Sequence, residues 1–478
     1  MHCFLSRTRS DRSLLYKEAL CYVFTRANSI LAEQNRRMEA YYKPVVYSNW
    51  MAATTGKKEW SEEHEKALGA YFANFSDRDS FQQVVSFREN KQLDFLQRRQ
   101  LDDFYNKMVR NQLPQHALTQ TLELEKEISM TFNTFRPTLA GKQVTNNDLL
   151  DILRNSRDNT ERKAAWLASK QVGKEIEGKL LSLVRKRNSD ARALGYDNFY
   201  QMSFATQELE LHTVYKIFEE LKNQSDHVFR EVKNEIDEEL SNKVGVKREE
   251  LRPWHYVDPF FQEAPPVSGV NLDAFFQGKD LEQVAVNTFQ AMGLEIEDIL
   301  KRSDLYPRAQ KNPFGFCTNI NRQGDIRILV NMDQSLFWST ALLHELGHAA
   351  YYKYIDQNLP FVLRCHSHTL TTEAIALLFG RMNKLLSWQK RFLDMDTEQL
   401  KNTSSSIERM LERQMLVSAR WIMTFSFFER ELYENPDQDL NQRWWEIVQA
   451  IQFVNPPEDT SHPDWAAKMH FSLAPVSY

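Results

Sequence analysis

Residues 335–356 read Ser335-LFWSTALLHELGHAAYYKYI-Asp356, and within them stands His344-Glu345-Leu346-Gly347-His348. No proline interrupts the run from Gln334 to Asp356. Apolar residues (Phe337, Trp338, Ala341, Leu342, Ala349, Tyr352) alternate with a few polar ones, so a long and largely buried helix is expected here. On a helix, side chains four apart lie about 40° apart around the axis, so His344 and His348 project together and can share one metal ion. Glu345 falls on the adjacent flank, within reach of a water beside that metal. Two histidines and a glutamate are costly inside a plain apolar core unless they are paired. HExxH on a helix therefore implies a zinc site with a general base, the arrangement used for hydrolysing peptides.

A catalytic zinc site usually takes three protein ligands and leaves a fourth position open. The extended pattern HExxHxxGxxH fails, because Tyr351 and Tyr354 stand where glycine and histidine are needed. A glutamate on a following helix is the other solution. Glu373 is the single glutamate between Glu345 and Glu398, within His368-TLTTEAIALLF-Gly380. Thr371 or Thr372 is expected to cap that helix, with Ile375, Leu378 and Phe379 on its buried face. Cys365, His366 and His368 compete as ligands but are read as loop residues near the site. The expected metal set is His344, His348 and Glu373, holding one Zn2+ per chain, with Glu345 as the base.

HELGH followed 25 positions later by Glu373 in TEAIA resembles the gluzincin oligopeptidases. HELGHAAYYKYIDQNLPFVLR is similar to the angiotensin-converting-enzyme, or peptidyl-dipeptidase, branch of that group, which is related to thimet oligopeptidase and oligoendopeptidase F. Arg252-PWHYVDPFF-Gln262 and Phe316-CTNINRQGDI-Arg327 resemble segments of the same family. The likeness runs from about residue 150 onward. It implies a mainly α-helical fold, a two-lobed zincin-type ellipsoid with a deep central channel and a small β element before the HExxH helix. The lobes interleave along the sequence, so residues 1–478 are expected to form a single two-lobed catalytic region. One position departs from the branch: an Asp four residues after the ligand Glu commonly orients a zinc histidine, and Leu377 stands there. Another acceptor, Asp333 or a backbone carbonyl, is then expected to hold the imidazole tautomer.

The resemblance also assigns roles near the end of the sequence. Lys468-Met-His470 precedes Pro475 and Tyr478. His470 would hydrogen-bond the tetrahedral intermediate, a fixed donor beside the developing oxyanion. Lys468 would pair with the free carboxylate of a peptide. By spacing, Tyr478 matches a tyrosine that contacts that carboxylate, and the transition-state tyrosine of the relatives would fall about three residues later. The expectation is therefore a catalytic region truncated at its C-terminal end, with Tyr478 either serving in place of that tyrosine or leaving the set one donor short.

Bulk properties fit this reading. The chain has 478 residues, 42% hydrophobic and 26% charged, as in ordinary globular proteins. Its formal net charge of −5 gives no basic footprint for nucleic acid. Cys3, Cys21, Cys317 and Cys365 lack CxxC spacing, which suits a reducing compartment. No run reaches 18 apolar residues, and the N-terminus lacks the apolar core of a signal peptide, so a cytoplasmic protein without a membrane span is expected. Gly and Pro are sparse, and residues 79–111, 158–194 and 212–242 carry helical periodicity. Residues 252–270 are proline-rich and irregular. The expected strands are 316–320 and 326–330, joined by a Gly-containing loop. In gluzincin peptidases such a strand offers its edge to the substrate backbone, which makes Phe316 and Thr318 candidate substrate-binding residues.

The leading expectation is a zinc metallopeptidase of peptidyl-dipeptidase or oligopeptidase type acting on short peptides. A different class, a catalytically impaired relative that binds zinc and peptide without turnover, is the alternative. A helical scaffold with a fortuitous motif would hold no stoichiometric zinc.

Overall fold

The computed structural model describes residues 9–266, 272–395 and 397–476. Helices dominate, and the sheets among the described residues are two antiparallel hairpins. The chain divides into two compact units, Met1–Gln112 with Asn271–Asn402, and Leu113–Val270 with Thr403–Tyr478.

The first unit opens with the helices Arg9–Thr55, Lys58–Phe75, Arg78–Arg88 and Phe95–Met108. Asp77 caps the third, and Asp94 with Gln97 forms a capping box on the fourth, so each start satisfies its own orphan N–H groups. Leu31, Met38, Val84, Leu101, Phe104 and Met108 form their shared core, which takes in Phe361 and Val362. The second segment of this unit supplies the site. Its hairpin pairs Phe316–Asn319 with Ile326–Leu329 in the register Phe316↔Leu329 to Asn319↔Ile326. These strands are one residue shorter at their ends than the sequence reading. Arg322 and Gly324 take positive φ in the connecting loop, at 53° and 101°, and the side chains of Asn319 and Asn321 accept backbone N–H groups across it. Ile326, Ile328 and Val330 pack with Leu342, Leu343 and Leu346, fastening the hairpin to the motif-bearing helix Leu336–Lys353.

The second unit is built around the long helices Asn159–Ala193, Leu211–Val244 and the 403–434 part of Thr397–Glu434, with Leu440–Gln452 closing one side. Trp166, Phe229, Phe425, Phe428, Trp444, Trp465 and Phe471 lie in its core, and the rings of Phe425 and Phe471 stack at 4.1 Å. The irregular segment after Leu251 is held from inside. Arg162 is fully buried and donates to the carbonyls of Trp254, His255 and Tyr256 and to that of Ser156. Asp258, also buried, accepts the N–H groups of Phe260, Gln262 and Glu263. Proline-rich backbone thus stays buried because two charged side chains take over its unmet hydrogen bonds. The sequence reading missed one element here: Thr138–Leu139 pairs with Lys142–Gln143 around Ala140 and Gly141, both at positive φ. Two-residue strands leave no alternation to read, so only the Ala-Gly turn could have signalled it.

Candidate metal centre

Ser335 caps the motif helix by accepting the N–H of Trp338. The helix carrying Glu373 spans Thr369–Met382 and begins earlier than the sequence suggested. Its cap is His368, whose Nδ1 accepts the Leu370 N–H, and not Thr371 or Thr372. A histidine is a rare cap, which is why the threonines looked the better choice. The buried face also differs: Thr372, Ala376, Phe379 and Gly380 are buried, whereas Leu378 is 56% exposed.

The two helices approach so closely that each needs a glycine. A Cβ on Gly347 would lie 2.9 Å from Cα of Ala376 and 3.2 Å from Cβ of Phe379. A Cβ on Gly380 would lie 3.1 Å from Cβ of His344 and 3.3 Å from the Thr340 carbonyl. Gly347, inside HELGH, is therefore what lets the glutamate-bearing helix come within reach of the histidines. Asn383, fully buried, ties the far end by bonding Ser339 and Thr340.

At this crossing Nε2 of His344 is 3.6 Å from one carboxylate oxygen of Glu373, and Nε2 of His348 is 3.6 Å from the other. The ligand atoms of His344, His348 and Glu373 all lie within 4.8 Å of one another. Ligands about 2.0–2.1 Å from a tetrahedral zinc sit roughly 3.3–3.4 Å apart, so the donor set fits such an ion by spacing and by chemistry. The acceptors that the Leu377 substitution called for are present on the same helix. Nδ1 of His348 pairs with the Thr372 hydroxyl at 2.7 Å, and the Ala376 carbonyl hydrogen-bonds the His344 ring. Of the two options raised from the sequence, the backbone carbonyl serves His344, while Thr372 was not foreseen. Burial lowers the pKa of both histidines, that of His348 to about 4, which keeps them in the neutral, metal-binding form.

Glu345 is buried on the flank of this set. Burial first, and then the Glu373 carboxylate, push its pKa up to about 7. Its Oε1 faces the backbone of Gly315, where an added Cβ would stand 3.5 Å away. The strand that follows alternates its faces. Phe316 is partly buried and packs its ring edge-on against Trp50, at 6.0 Å between centroids. Cys317 is partly buried against the core that holds the motif helix, and desolvation raises its thiol pKa. Thr318 is half-buried in the middle of the strand. The partner strand Ile326–Leu329 is bridged on its other side by Asp304. Among the described residues, no strand pairs with the outer edge of Phe316–Asn319. Of the competing loop residues, Nδ1 of His366 bonds the Tyr352 hydroxyl at 2.8 Å, and the Cys365 thiol faces the Val362 carbonyl. Neither belongs to the metal cluster.

Lys468 and His470 belong to the second unit. Lys468 is buried, donates to the side-chain carbonyl of Gln262 at 2.7 Å, and lies over the rings of Trp421 and Phe260. Burial lowers its pKa to about 8. Both Gln262 and Lys468 line a cavity of about 200 Å³ with Phe132, Phe135 and Phe260. Gln262, which follows the quoted PWHYVDPFF run, was not singled out from sequence. His470 opens a short helix, His470–Leu473, and lies half-buried with its ring 6.3 Å from Phe425. Tyr478 lies outside the described residues.

Two family models match the chain. That of peptidase family M3 covers residues 152–474, two thirds of the chain, including His344, Glu345, His348, Glu373, Lys468 and His470. That of angiotensin-converting enzyme covers residues 23–255. Among curated proteins no match is found. Among the described residues, no helix is long and apolar enough to cross a membrane.

Proposed function

We propose, from the premise that this chain belongs to peptidase family M3 and is a metallopeptidase, that it hydrolyses short peptides with zinc held by His344, His348 and Glu373. The observation that carries the reading is the convergence of these three donors beside a buried Glu345. A zinc ion bound there would polarise the scissile carbonyl and acidify a water. The chain's own residues do the rest. Thr372 and the Ala376 carbonyl fix the imidazole rings so that Nε2 of each faces Glu373. Glu345 accepts a proton from the attacking water and delivers it to the leaving amine, bond formation and bond breaking sharing one acid–base group. The open edge of Phe316–Asn319 binds the peptide backbone by strand addition, with Thr318 beside it.

Lys468, desolvated among aromatic rings with Gln262 at its tip, is the candidate receptor for a peptide's free carboxylate. With that clamp in use, cleavage releases C-terminal dipeptides. Without it, the activity is that of an endo-acting oligopeptidase.

Metal analysis together with cleavage of a quenched-fluorescent peptide library, with and without chelator, tests the reading. One zinc per chain, chelator-sensitive cleavage, and a Glu345→Gln variant that keeps zinc while losing turnover are the expected results. Turnover of Glu345→Gln within tenfold of the parent refutes the proton-transfer role. One zinc with no cleavage by the parent would identify an impaired member that binds without turning over. Product masses separate dipeptide release from internal cuts.

A further inference from the structure

Within the second unit, the turn that brings Gln262 to Lys468 is held from both sides. Asp258 is 1% exposed. One of its carboxylate oxygens accepts the N–H of Phe260 at 2.9 Å and of Gln262 at 3.2 Å, and the other accepts those of Gln262 and Glu263 at 3.0 Å. Gln452, also buried, donates to the carbonyls of Phe260 and Phe261 at 3.2 and 2.8 Å. Between these two side chains Phe261 takes a φ of 50°, a left-handed conformation that a bulky residue rarely adopts. Such strain persists where the surroundings over-determine it. Its product here is the placement of the next side chain. Gln262 accepts from Lys468 Nζ at 2.7 Å, and both line one cavity.

The charge of Asp258 bears on the same amine. Burial pushes the Asp258 pKa up and the N–H groups pull it down. With donors on both oxygens, the ionised acid is the form that fits. Burial depresses the Lys468 amine, and Asp258, ahead of Glu263, holds it from falling further. Two other basic groups share this field. His470 faces Lys468, and Lys170, set against Asp464 and Asp258, places its Nζ 3.3 Å over the Phe260 ring.

We propose that Asp258 is a positioning residue for the carboxylate receptor: it seats Gln262 through the 258–263 turn and keeps Lys468 cationic, without touching a peptide itself. The inference rests on the reading of Lys468 and Gln262 as that receptor and adds the group that prepares them. Asp258→Asn is the informative change. An asparagine keeps the Phe260 N–H on its oxygen, but it turns an amide donor toward Glu263 and carries no charge.

The zinc-loaded, full-length Glu345→Gln variant is titrated with two fluorescent peptides, identical except that one ends in a free carboxylate and the other in an amide, and read by anisotropy. At about pH 6.5 the acid should bind about tenfold tighter, and Lys468→Met should equalise the two. Adding Asp258→Asn should weaken the acid about fivefold and leave the amide within about twofold. The preference for the acid should fade as pH rises through about 8, where Lys468 loses its proton, and at lower pH once Asp258→Asn is present. A merely architectural Asp258 would weaken both peptides together. That result, or a preference that survives Asp258→Asn, overturns the inference and leaves the receptor standing. Equal binding of acid and amide before the substitution removes the receptor and the inference with it. Should Asp258→Asn not fold, competitive acetylation of Lys468 in the parent, read by mass spectrometry against pH, decides the matter. An amine that titrates above about pH 7 supports the inference, and one that titrates below it overturns it.

Discussion

Gly347→Ala should damage the metal site without touching a ligand. The added methyl would stand 2.9 Å from Cα of Ala376 and 3.2 Å from two atoms of Phe379. Carbon–carbon contacts are comfortable at about 3.5–4.0 Å, so the helices must part by about 0.6 Å where they cross. Backbone lies on both sides of the closest contact, and no flexible side chain can swing away. Glu373 is three residues from Ala376 on the displaced helix, while metal–ligand distances tolerate only about 0.2 Å. The expected cost is 10–100-fold in zinc affinity, the size of effect seen when ligand orientation is disturbed. Stability of the apo protein responds differently. Replacing an interior helix glycine by alanine gains about 1 kcal/mol, and overpacking costs about 1–3 kcal/mol, so the net change should lie between zero and a loss of about 2 kcal/mol. Zinc affinity is measured by competition against a chromophoric chelator, and apo stability by urea unfolding. A Gly347→Ala protein that binds zinc within twofold of the parent and gains about 1 kcal/mol would refute the idea that helix spacing sets the site.

Thr372→Val removes the hydroxyl that faces Nδ1 of His348 while nearly preserving its shape. Zinc affinity should fall about 10–100-fold in the same chelator competition, and Thr372→Ser should restore most of it. His255 gives a pH prediction for the second unit. It is fully buried, its Nδ1 accepts the Arg252 N–H, and its Nε2 faces Asn159 Oδ1 at 2.6 Å, so the neutral ring is the one that fits. Burial, and then Arg162, lower its pKa to about 4. The folded state therefore resists protonation while the unfolded state takes a proton near pH 6.5, and this contribution is complete above pH 6.5 and is lost as pH falls toward 4. Between pH 7 and pH 5 the loss should be about 2 kcal/mol, read as the part of the urea-midpoint shift in the parent that His255→Gln no longer shows.

How much of this was legible beforehand depends on how local the physics is. The grouping of the two histidines could be read because a helix fixes the relation of residues four apart, so His344, Glu345 and His348 are one geometric statement wherever that helix packs. Glu373 could be read because a lone carboxylate in an apolar helix needs a partner, and the motif supplied one. The hairpin showed through its alternation. What stayed hidden depends on the packing of one helix against another. Nothing local distinguishes Gly347, a weak point in a helix, from Gly347, the notch that admits Ala376 and Phe379. Leu378 reads as core by its chemistry and stands in solvent. The partner of His348 is Thr372, a residue that sequence logic spends on a cap, and the cap is His368.

These misses share a cause. Sequence patterns say which face of a helix is apolar, but the depth to which two faces sink into one another is fixed by the smallest residues on both. Here that depth sets the distance from histidine to glutamate, and so whether the three donors can share one ion. It also decides which apolar residues are left outside the seam. With Gly347 and Gly380 at the crossing, the helices close on Ala376 and Phe379 and leave Leu370 and Leu377 beside Glu373 in the open. A larger residue at either glycine would therefore disturb the metal ligands and the neighbouring apolar strip together. Zinc affinity should then fall in Gly347→Ala, whereas Leu377→Ser, outside the seam at 62% exposure, should leave it within about twofold of the parent.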